Sequence, residues 1–590
     1  MCGVVGFTGT RDAAPVLLDA LSRLEYRGYD SAGLATINNG CLYIRKGIGK
    51  LEEVESICDL SRLNGSTGIG HVRWATHGVV SIENAHPHRD CSGQIAVAHN
   101  GIIENHEEIR NRLEAGHRFL SETDTEVIAH LIEEQQKNGE PLEVAVRKAV
   151  DELRGSYALL VTSVFEPGKV VACRNGSPLV VGLGRGENFI ASDFQAFLNQ
   201  TREVIFIEDG ESVVINRGKV QLYNELGSRI TRARVTLDHD FHSSSKEGYE
   251  FYMLKEVFEQ PRAIMTAMQQ DSRALYGAAS MIKRSKSVVF TACGTSRYAS
   301  LIGRYLFSRV SQKFSDVVIA SEFGYFSEAI NQNTLVIAVS QSGETADVIE
   351  GVKQARAKGA KVLSIINTVG SSLGRMSDRT LYLNCGPEIG VPATKSFIAQ
   401  LVIFYLLSFA VAGRLDEVKQ NLSRISGMID TNLMLNNLSV PGLARELKNH
   451  DKFYYVARGI NFAIAGEAAL KLKEVAYVHA EGMPAGELKH GTLALIEQGT
   501  PVVAICPDDC TRDHILSNVS EVKARGARVI GVSDKNSNLF DTFIEVPRVD
   551  EAYYPLVSIV PLQLLAFHSA IVRGLDPDKP RNLAKSVTVK

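Results

Sequence analysis

Residues 352–365 read VKQARAKGAKVLSI, and residues 520–532 read SEVKARGARVIGV. Each is the end of an amphipathic helix, then a glycine, then a β-branched apolar run. That order predicts a helix stopped at glycine and followed by a buried strand. Upstream of the first copy lies VVFTACGTS (288–296), and upstream of the second lies FYYVARGIN (453–461). Both are strands running into a small-residue turn ahead of a helix. The interval between Gly294 and Gly459 nearly equals that between Gly359 and Gly526, so the second half carries one α/β unit twice, over roughly 250–430 and 445–575. Strands alternating with amphipathic helices make each unit a parallel sheet with crossovers.

Two stretches of the first copy, ACGTS (292–296) and SQSGETAD (340–347), follow strands and lead into helices. Small hydroxyl residues at a helix N-terminus suit a phosphate, through backbone N–H groups, side-chain hydroxyls and the helix dipole. One such loop is equally a plain helix cap; two in one unit point to a monophosphate. No GxxxxGK[ST] occurs, which excludes the usual nucleoside triphosphate cradle. Farther on, EAALKLKE (467–474) places Lys471 and Glu474 on one helix face, between apolar flanks. Lys585 sits in LAKSV near the end; a lysine forms imines with carbonyls, and a tail can close over a ligand.

The chain has 590 residues and a formal charge of −3, so it is too long for one core and has no basic field for nucleic acid. Its nine cysteines include no CxxC pair, which fits reduced thiols in a cytosol. Arg11, Asp12 and Asp19 interrupt any signal-peptide apolar region. The apolar run at 397–413 contains Gln400 and reads as a buried helix rather than a membrane span. The expectation is a cytoplasmic protein with no membrane partner.

Residues up to about 240 are different in texture. Short alternating stretches (VVAC, LVVGLG, FIAS, EVIFI, SVVIN) predict strands, with helical patterns near 13–25 and 123–154. GLGRGENF (182–189) imitates a dinucleotide glycine motif but sits between strands, so it is read as a turn. HSSSKEGYE (242–250) reads as a linker. The chain opens MCGVVGFTGT. Removal of Met1 would give Cys2 a free α-amine titrating at about 7.7–8.0, able to take a proton from a thiol of about 8.5. Amide hydrolysis through Cys2 also needs oxyanion donors, which Asn100 and Gly101 in AHNGIIEN (98–105) would supply. An amino-acid substrate needs a cation and an anion; Arg73 in RWATHG and Asp124 in SETDTE offer them. Singly these are weak signals, since Asn-Gly is first a turn and Arg73 equally a surface ion pair. His86 and His88 suggest a metal, but no further ligand has suitable spacing, and no metal is expected.

With LEYRGYDSAG (24–33) and RNGSPLVVGLG (174–184), the first half resembles the N-terminal-nucleophile glutamine amidotransferases. The resemblance implies a thioester on Cys2, an oxyanion hole at Asn100 and Gly101, and glutamine held by Arg73 and Asp124, with Thr76 and His77 lining the pocket. Trp74, the single tryptophan, would gate ammonia passage. The second half, through ACGTS, SQSGETAD, EIGVPATKSF, EAALKLKE, GELKHG and PRNLAKSVTV, resembles the sugar-isomerase tandem of the glutamine–fructose-6-phosphate aminotransferase family.

The implied fold is multidomain α/β: an αββα Ntn-hydrolase sandwich followed by two doubly wound, flavodoxin-like sugar-isomerase (SIS) subdomains. The domains expected are 2–240, a linker at 241–250, 251–430, 445–575 and a tail at 576–590. The implied reaction turns fructose 6-phosphate and glutamine into glucosamine 6-phosphate and glutamate, the first step of hexosamine synthesis, in a homodimer with no cofactor. Ser296, Ser340, Gln341, Ser342 and Thr345 would hold the phosphate and Thr295 a sugar hydroxyl. His490, from across a dimer interface, would assist ring opening. Lys585 would form the imine, and Glu474, beside Lys471, would move a proton between C1 and C2. One departure stands out: Pro392 and Ala393 occupy places where the family often has Ala and Ser, which loses a sugar hydrogen bond of ~1 kcal/mol and keeps a different keto-sugar phosphate open. Amidotransferases acting on phosphoribosyl pyrophosphate or ATP-activated acids would need pyrophosphate motifs that are absent. A sugar-phosphate sensor would not need Glu474, His490 and Lys585 together.

Overall fold

The computed structural model describes residues 2–237 and 246–588. The start of the expected linker, 241–245, and Met1 lie outside the described residues. The chain divides into two compact units, residues 1–240 with 586–590, and residues 241–585.

The first unit is built on two antiparallel sheets of eight and seven strands. Period-2 alternation decides which side chains face which layer. In strand Ile95–Ile103, Ala96 and Ala98 point into an inter-sheet core with Val4, Ala35, Ile69, Ala158 and Leu160, while Ile95 and Val97 point outward. That outer face is covered by helices His106–Leu113, Glu126–Lys137 and Leu142–Val150. Helix Ala13–Ser22 packs on strands Gly3–Thr8 and Thr67–Arg73 of the other sheet. The layers are therefore helix, sheet, sheet, helix. The helical pattern expected over 123–154 is two helices, because Gly139 turns at φ +76° and Pro141 caps the second. Helices Leu51–Cys58 and His106–Leu113 are too short and polar to stand out in sequence.

The second unit holds two parallel five-stranded sheets. In the first, strand order across the sheet is Asp316–Ile319, Ser287–Ala292, Thr334–Ser340, Lys361–Ile366, Arg379–Tyr382. In the second it is His479–Pro484, Lys452–Ala457, Pro501–Ile505, Arg528–Ser533, Thr542–Glu545. Both have the flavodoxin-like order 2-1-3-4-5, whose direction reverses between strands 1 and 3. Gly359 and Gly526, at φ +81° and +89°, each end the helix that precedes strand 4, where an L side chain would be strained. The two sheets share one apolar core, crossed by helices Lys395–Ala412 and Tyr554–Val572. By length and composition two helices are apolar enough to cross a membrane, but 94% and 83% of their apolar windows are buried in the protein. Helix Leu415–Glu446 runs 32 residues between the repeats and packs on Tyr554–Val572.

Candidate functional site

Strand register assembles the first site. Gly3 pairs with Val72 and Ser31 with Arg73, which sets Cys2, Arg73–Trp74 and Asp30 at adjacent strand ends. The Trp74 N–H donates to Cys2 Sγ at 3.3 Å, and Asp30 Oδ2 accepts the Ala75 N–H at 2.8 Å. From the facing sheet, Asn100 Nδ2 donates to the Cys2 carbonyl at 3.0 Å. Gly101 follows at φ +137°, and a Cβ there would lie 1.9 Å from the Ser156 carbonyl oxygen, so only glycine fits. Burial pushes the Cys2 thiol up; the Trp74 N–H and the Arg73 guanidinium pull against it. A buried, neutral thiol needs a base to become the nucleophile.

Arg73 is 2% exposed, and its guanidinium donates to the carbonyls of His77, Gly78 and Val79, folding that loop around itself. It also lies in the electrostatic field of Cys2, Asp30 and Asp124. Asp124 is buried, with Oδ2 accepting the Ile103 N–H at 2.8 Å. His77 is tied to the Glu122 carbonyl, and Thr76 is exposed. Trp74 is half-buried. The other SETDTE residues are structural: Glu126 accepts from Leu120 and Ser121 N–H groups, and Thr123 meets His88. His86 stacks on His71 at 4.2 Å, and burial holds both rings neutral, His71 down at about 3. Asp30 is the residue that the sequence reading passed over, although it lies inside LEYRGYDSAG.

The second site lies wholly in the second unit. The loops after strands 1 and 3 of its first sheet, at the reversal of strand order, are ACGTS and SQSGETAD. Ser340 and Thr345 hydroxyls are 2.9 Å apart, Ser340 Oγ accepts the Gly343 N–H, and Ser342 Oγ accepts the Glu344 N–H. Ser296 Oγ accepts from Gln400. Gln341 and Ser342 are half-buried at the loop surface. The corresponding loop of the second sheet has Asp508 and Asp509 instead, and Arg512 there is spent on Ser533 and the carbonyls of Cys506, Lys535 and Asn536. Its two carboxylates do not suit an anion, so of these two loops the hydroxyl-rich one of the first repeat is the candidate for phosphate.

Helix Phe462–Ala476 brings Glu467, Lys471 and Glu474 onto one face at i, i+4 and i+7. Lys471 is fully buried, as its apolar flanks suggest. Its Nζ meets Glu474 at 2.6 Å, Thr295 Oγ1 at 2.9 Å and Glu467 at 3.4 Å, one partner for each ammonium proton. The Thr295 hydroxyl donates in turn to Glu467 at 3.0 Å, so it joins the two repeats. Burial pushes Glu467 up to about 8, and Glu474 adds to it. The tail is pinned step by step. Asp578 accepts the N–H groups of Tyr252 and Met253, Tyr477 OH accepts the Arg581 N–H, and Lys585 Nζ reaches Glu388 at 2.5 Å. Lys585 and Glu388 side chains are 3% and 0% exposed. Burial acts to raise Glu388, but Lys585 and the Ser396 hydroxyl and N–H hold it well below the usual carboxylate range.

Pro392 and Ala393 belong to the turn that Glu388 organises by accepting the N–H groups of Thr394 and Ser396. The Thr394 hydroxyl is buried there with no protein partner. His490 ends a 3-10 turn, exposed, and is not among the groups touching Lys471 or Lys585. Glu388 and Glu467 were missed in sequence, though both lie in quoted motifs; the signal was a single carboxylate in an apolar run.

The chain matches the SIS domain over residues 281–410 and 446–573, and the glutamine amidotransferase domain over 71–199. It is 46% identical to a glutamine–fructose-6-phosphate aminotransferase [isomerizing] of Thermococcus kodakarensis, and 47% identical to one of Methanothermobacter thermautotrophicus. Both alignments span 100% of each chain. A solved C-terminal domain of glucosamine-fructose-6-phosphate aminotransferase from Francisella tularensis is 32% identical, with a TM-score of 0.54, covering 57% of this chain and 100% of that one.

Proposed function

Belonging to the isomerizing glutamine–fructose-6-phosphate aminotransferase family, the chain transfers the amide nitrogen of glutamine to fructose 6-phosphate, and we propose how its residues divide that work. With Met1 removed, the Cys2 α-amine takes the thiol proton and the sulfur attacks the glutamine amide. Asn100 and Gly101 stabilise the oxyanion, while Arg73 and Asp124 hold the carboxylate and amine, with Thr76 and His77 at the rim. The C–N bond breaks as the protonated α-amine passes that proton to the departing ammonia, and water then releases glutamate from the thioester. Trp74, whose backbone N–H touches the sulfur, would gate the ammonia with its ring.

At the second site Ser296, Ser340, Gln341, Ser342 and Thr345 bind the phosphate. His490, supplied by the second subunit of a homodimer, helps open the ring; its exposure in the single chain fits that source. Lys585 forms an imine at C2 with loss of water, and ammonia displaces the lysine. Glu474 then takes a proton from C1 and returns it at C2, so the ketose imine becomes an aldose amine without any change in oxidation state. A positioned base of this kind contributes on the order of 10²–10⁴ in rate. Thr295 and Lys471 orient Glu474. The domains divide as 2–240, 251–430, 445–575 and 576–590, in the cytoplasm. The observation that carries this reading is the convergence of Thr295, Glu467, Lys471 and Glu474 from two repeats beside a two-loop hydroxyl cradle.

The test is amide-labelled glutamine with fructose 6-phosphate and mass analysis of the sugar. Label in glucosamine 6-phosphate is expected; labelled free ammonia with no amino sugar would reject the acceptor. A second prediction concerns Gly343→Ala. Gly343 lies at φ +68°, and a Cβ there would sit 2.2 Å from Ser371 Oγ. Left-handed strain alone costs about 1–2 kcal/mol, so the sugar phosphate KM should rise about tenfold or more, measured by steady-state kinetics. An unchanged KM would mean that this loop does not hold the phosphate.

A further inference from the structure

The first unit contains a polar cluster that neither half-reaction uses. Cys91 follows strand His88–Arg89, His117 lies in the loop after helix His106–Leu113, and His130 and Glu133 share a face of helix Glu126–Lys137. One donor atom from each lies within 4.8 Å of all the others. We propose that these four residues form a tetrahedral site for zinc.

The distances match. Around one ion with Zn–N and Zn–O near 2.0–2.1 Å and Zn–S near 2.3 Å, ligand atoms stand roughly 3.3 Å (N to O) and 3.6 Å (S to N) apart. Here Cys91 Sγ is 3.6 Å from Nδ1 of both His117 and His130, and Glu133 Oε2 is 3.0 and 3.3 Å from the same two nitrogens. Four of the six edges of such a tetrahedron are therefore close to length, and one donor atom from each residue lies within 4.8 Å of the others.

Proton accounting points the same way. Without an ion, both Nδ1 atoms must carry hydrogens to bond the single oxygen of Glu133. His117 Nε2 also lies 2.8 Å from Glu134 Oε1, which demands a second N–H on that ring. His130 Nε2 lies 3.7 Å from Glu126 Oε1, too far for a hydrogen bond, and has no hydrogen-bond partner among the described residues. The His117 ring would then need hydrogens on both nitrogens while packed against His130, their ring centroids 4.8 Å apart and their side chains 2% and 1% exposed. An ion on the two Nδ1 atoms removes the conflict: the His117 Nε2–H then donates to Glu134, an outer carboxylate. That is the second-shell arrangement that orients metal-bound histidine. The Arg118 N–H, donating to Cys91 Sγ at 3.3 Å, stabilises a thiolate. One thiolate, two imidazoles and one carboxylate favour zinc over magnesium or calcium. Cys91 is exposed, so the site can be loaded from solvent. Histidine and glutamate are spaced H-x-x-E, but the other two ligands come from separate loops, which hid the site in sequence.

Untagged full-length protein, purified with zinc in the medium and desalted, is expected to hold about one zinc per chain by elemental analysis. Cobalt(II) added to stripped protein should give a thiolate-to-cobalt charge-transfer band. That band should vanish in Cys91→Ser, persist in Cys41→Ser, and weaken in His117→Gln. Stripped wild-type protein with no cobalt band, or a band that survives Cys91→Ser, would overturn the assignment. The wild-type titration stands whether or not the variants fold.

Discussion

Cys2→Ala is expected to abolish glutamine hydrolysis, lowering it by on the order of 10⁴–10⁶-fold, the usual loss when a covalent nucleophile is removed. The physical ground is that the groups around Cys2 are poorer nucleophiles than its thiol. Asn100 is bound to the Cys2 carbonyl through its amide nitrogen, Gly101 offers only backbone groups, Arg73 is engaged by three carbonyls, and Asp124 accepts a backbone N–H. The substitution is small and Cys2 is half-buried just before its strand, so the fold should survive. Free ammonia supplied at high concentration should still yield glucosamine 6-phosphate, because the proposed imine-forming Lys585 belongs to the other unit. The paired assays are glutamate release and ammonia-dependent product formation. Glutamine hydrolysis within tenfold of wild type would remove Cys2 from the mechanism.

Lys585→Met should reduce amino-sugar formation by on the order of 10³-fold or more with either nitrogen source, since covalent activation of the ketose is lost. It also leaves Glu388 as a buried, unpaired carboxylate. Breaking a buried pair costs about 3–5 kcal/mol, so the variant should melt lower as well. Loss of activity is therefore ambiguous by itself. Borohydride reduction of wild-type protein with fructose 6-phosphate resolves it: the stable sugar adduct is expected on the peptide carrying Lys585. An adduct on Lys471 instead would move the imine to the helix and leave Lys585 as a tail anchor. Glu388→Gln should lower the melting temperature in the same way and reduce adduct yield, because the tail loses its buried counter-charge.

The repeat, the glycine stops at Gly359 and Gly526 and the hydroxyl loops after strands were legible in the sequence. Each depends on neighbours a few residues apart, and local backbone preference follows local composition. The family's order of motifs was legible for the same reason, being long contiguous strings. The split of 123–154 into two helices was within reach, since Gly139 and Pro141 stand in plain view. Tertiary structure decided what each polar side chain does. The apolar flanks of Lys471 and Glu474 suggest burial, but only the fold supplies the Thr295 and Glu467 contacts of Lys471. Lys585 looks like a solvated terminal lysine until Asp578 and Tyr477 pin the tail and Glu388 meets it. Cys91 and His117 carry no spacing signal at all; strand and loop geometry brings them to His130 and Glu133. Sequence reports which groups are present and how the chain tends to turn. Burial and the pairing of charges depend on residues hundreds of positions away, and only the folded chain brings them within reach.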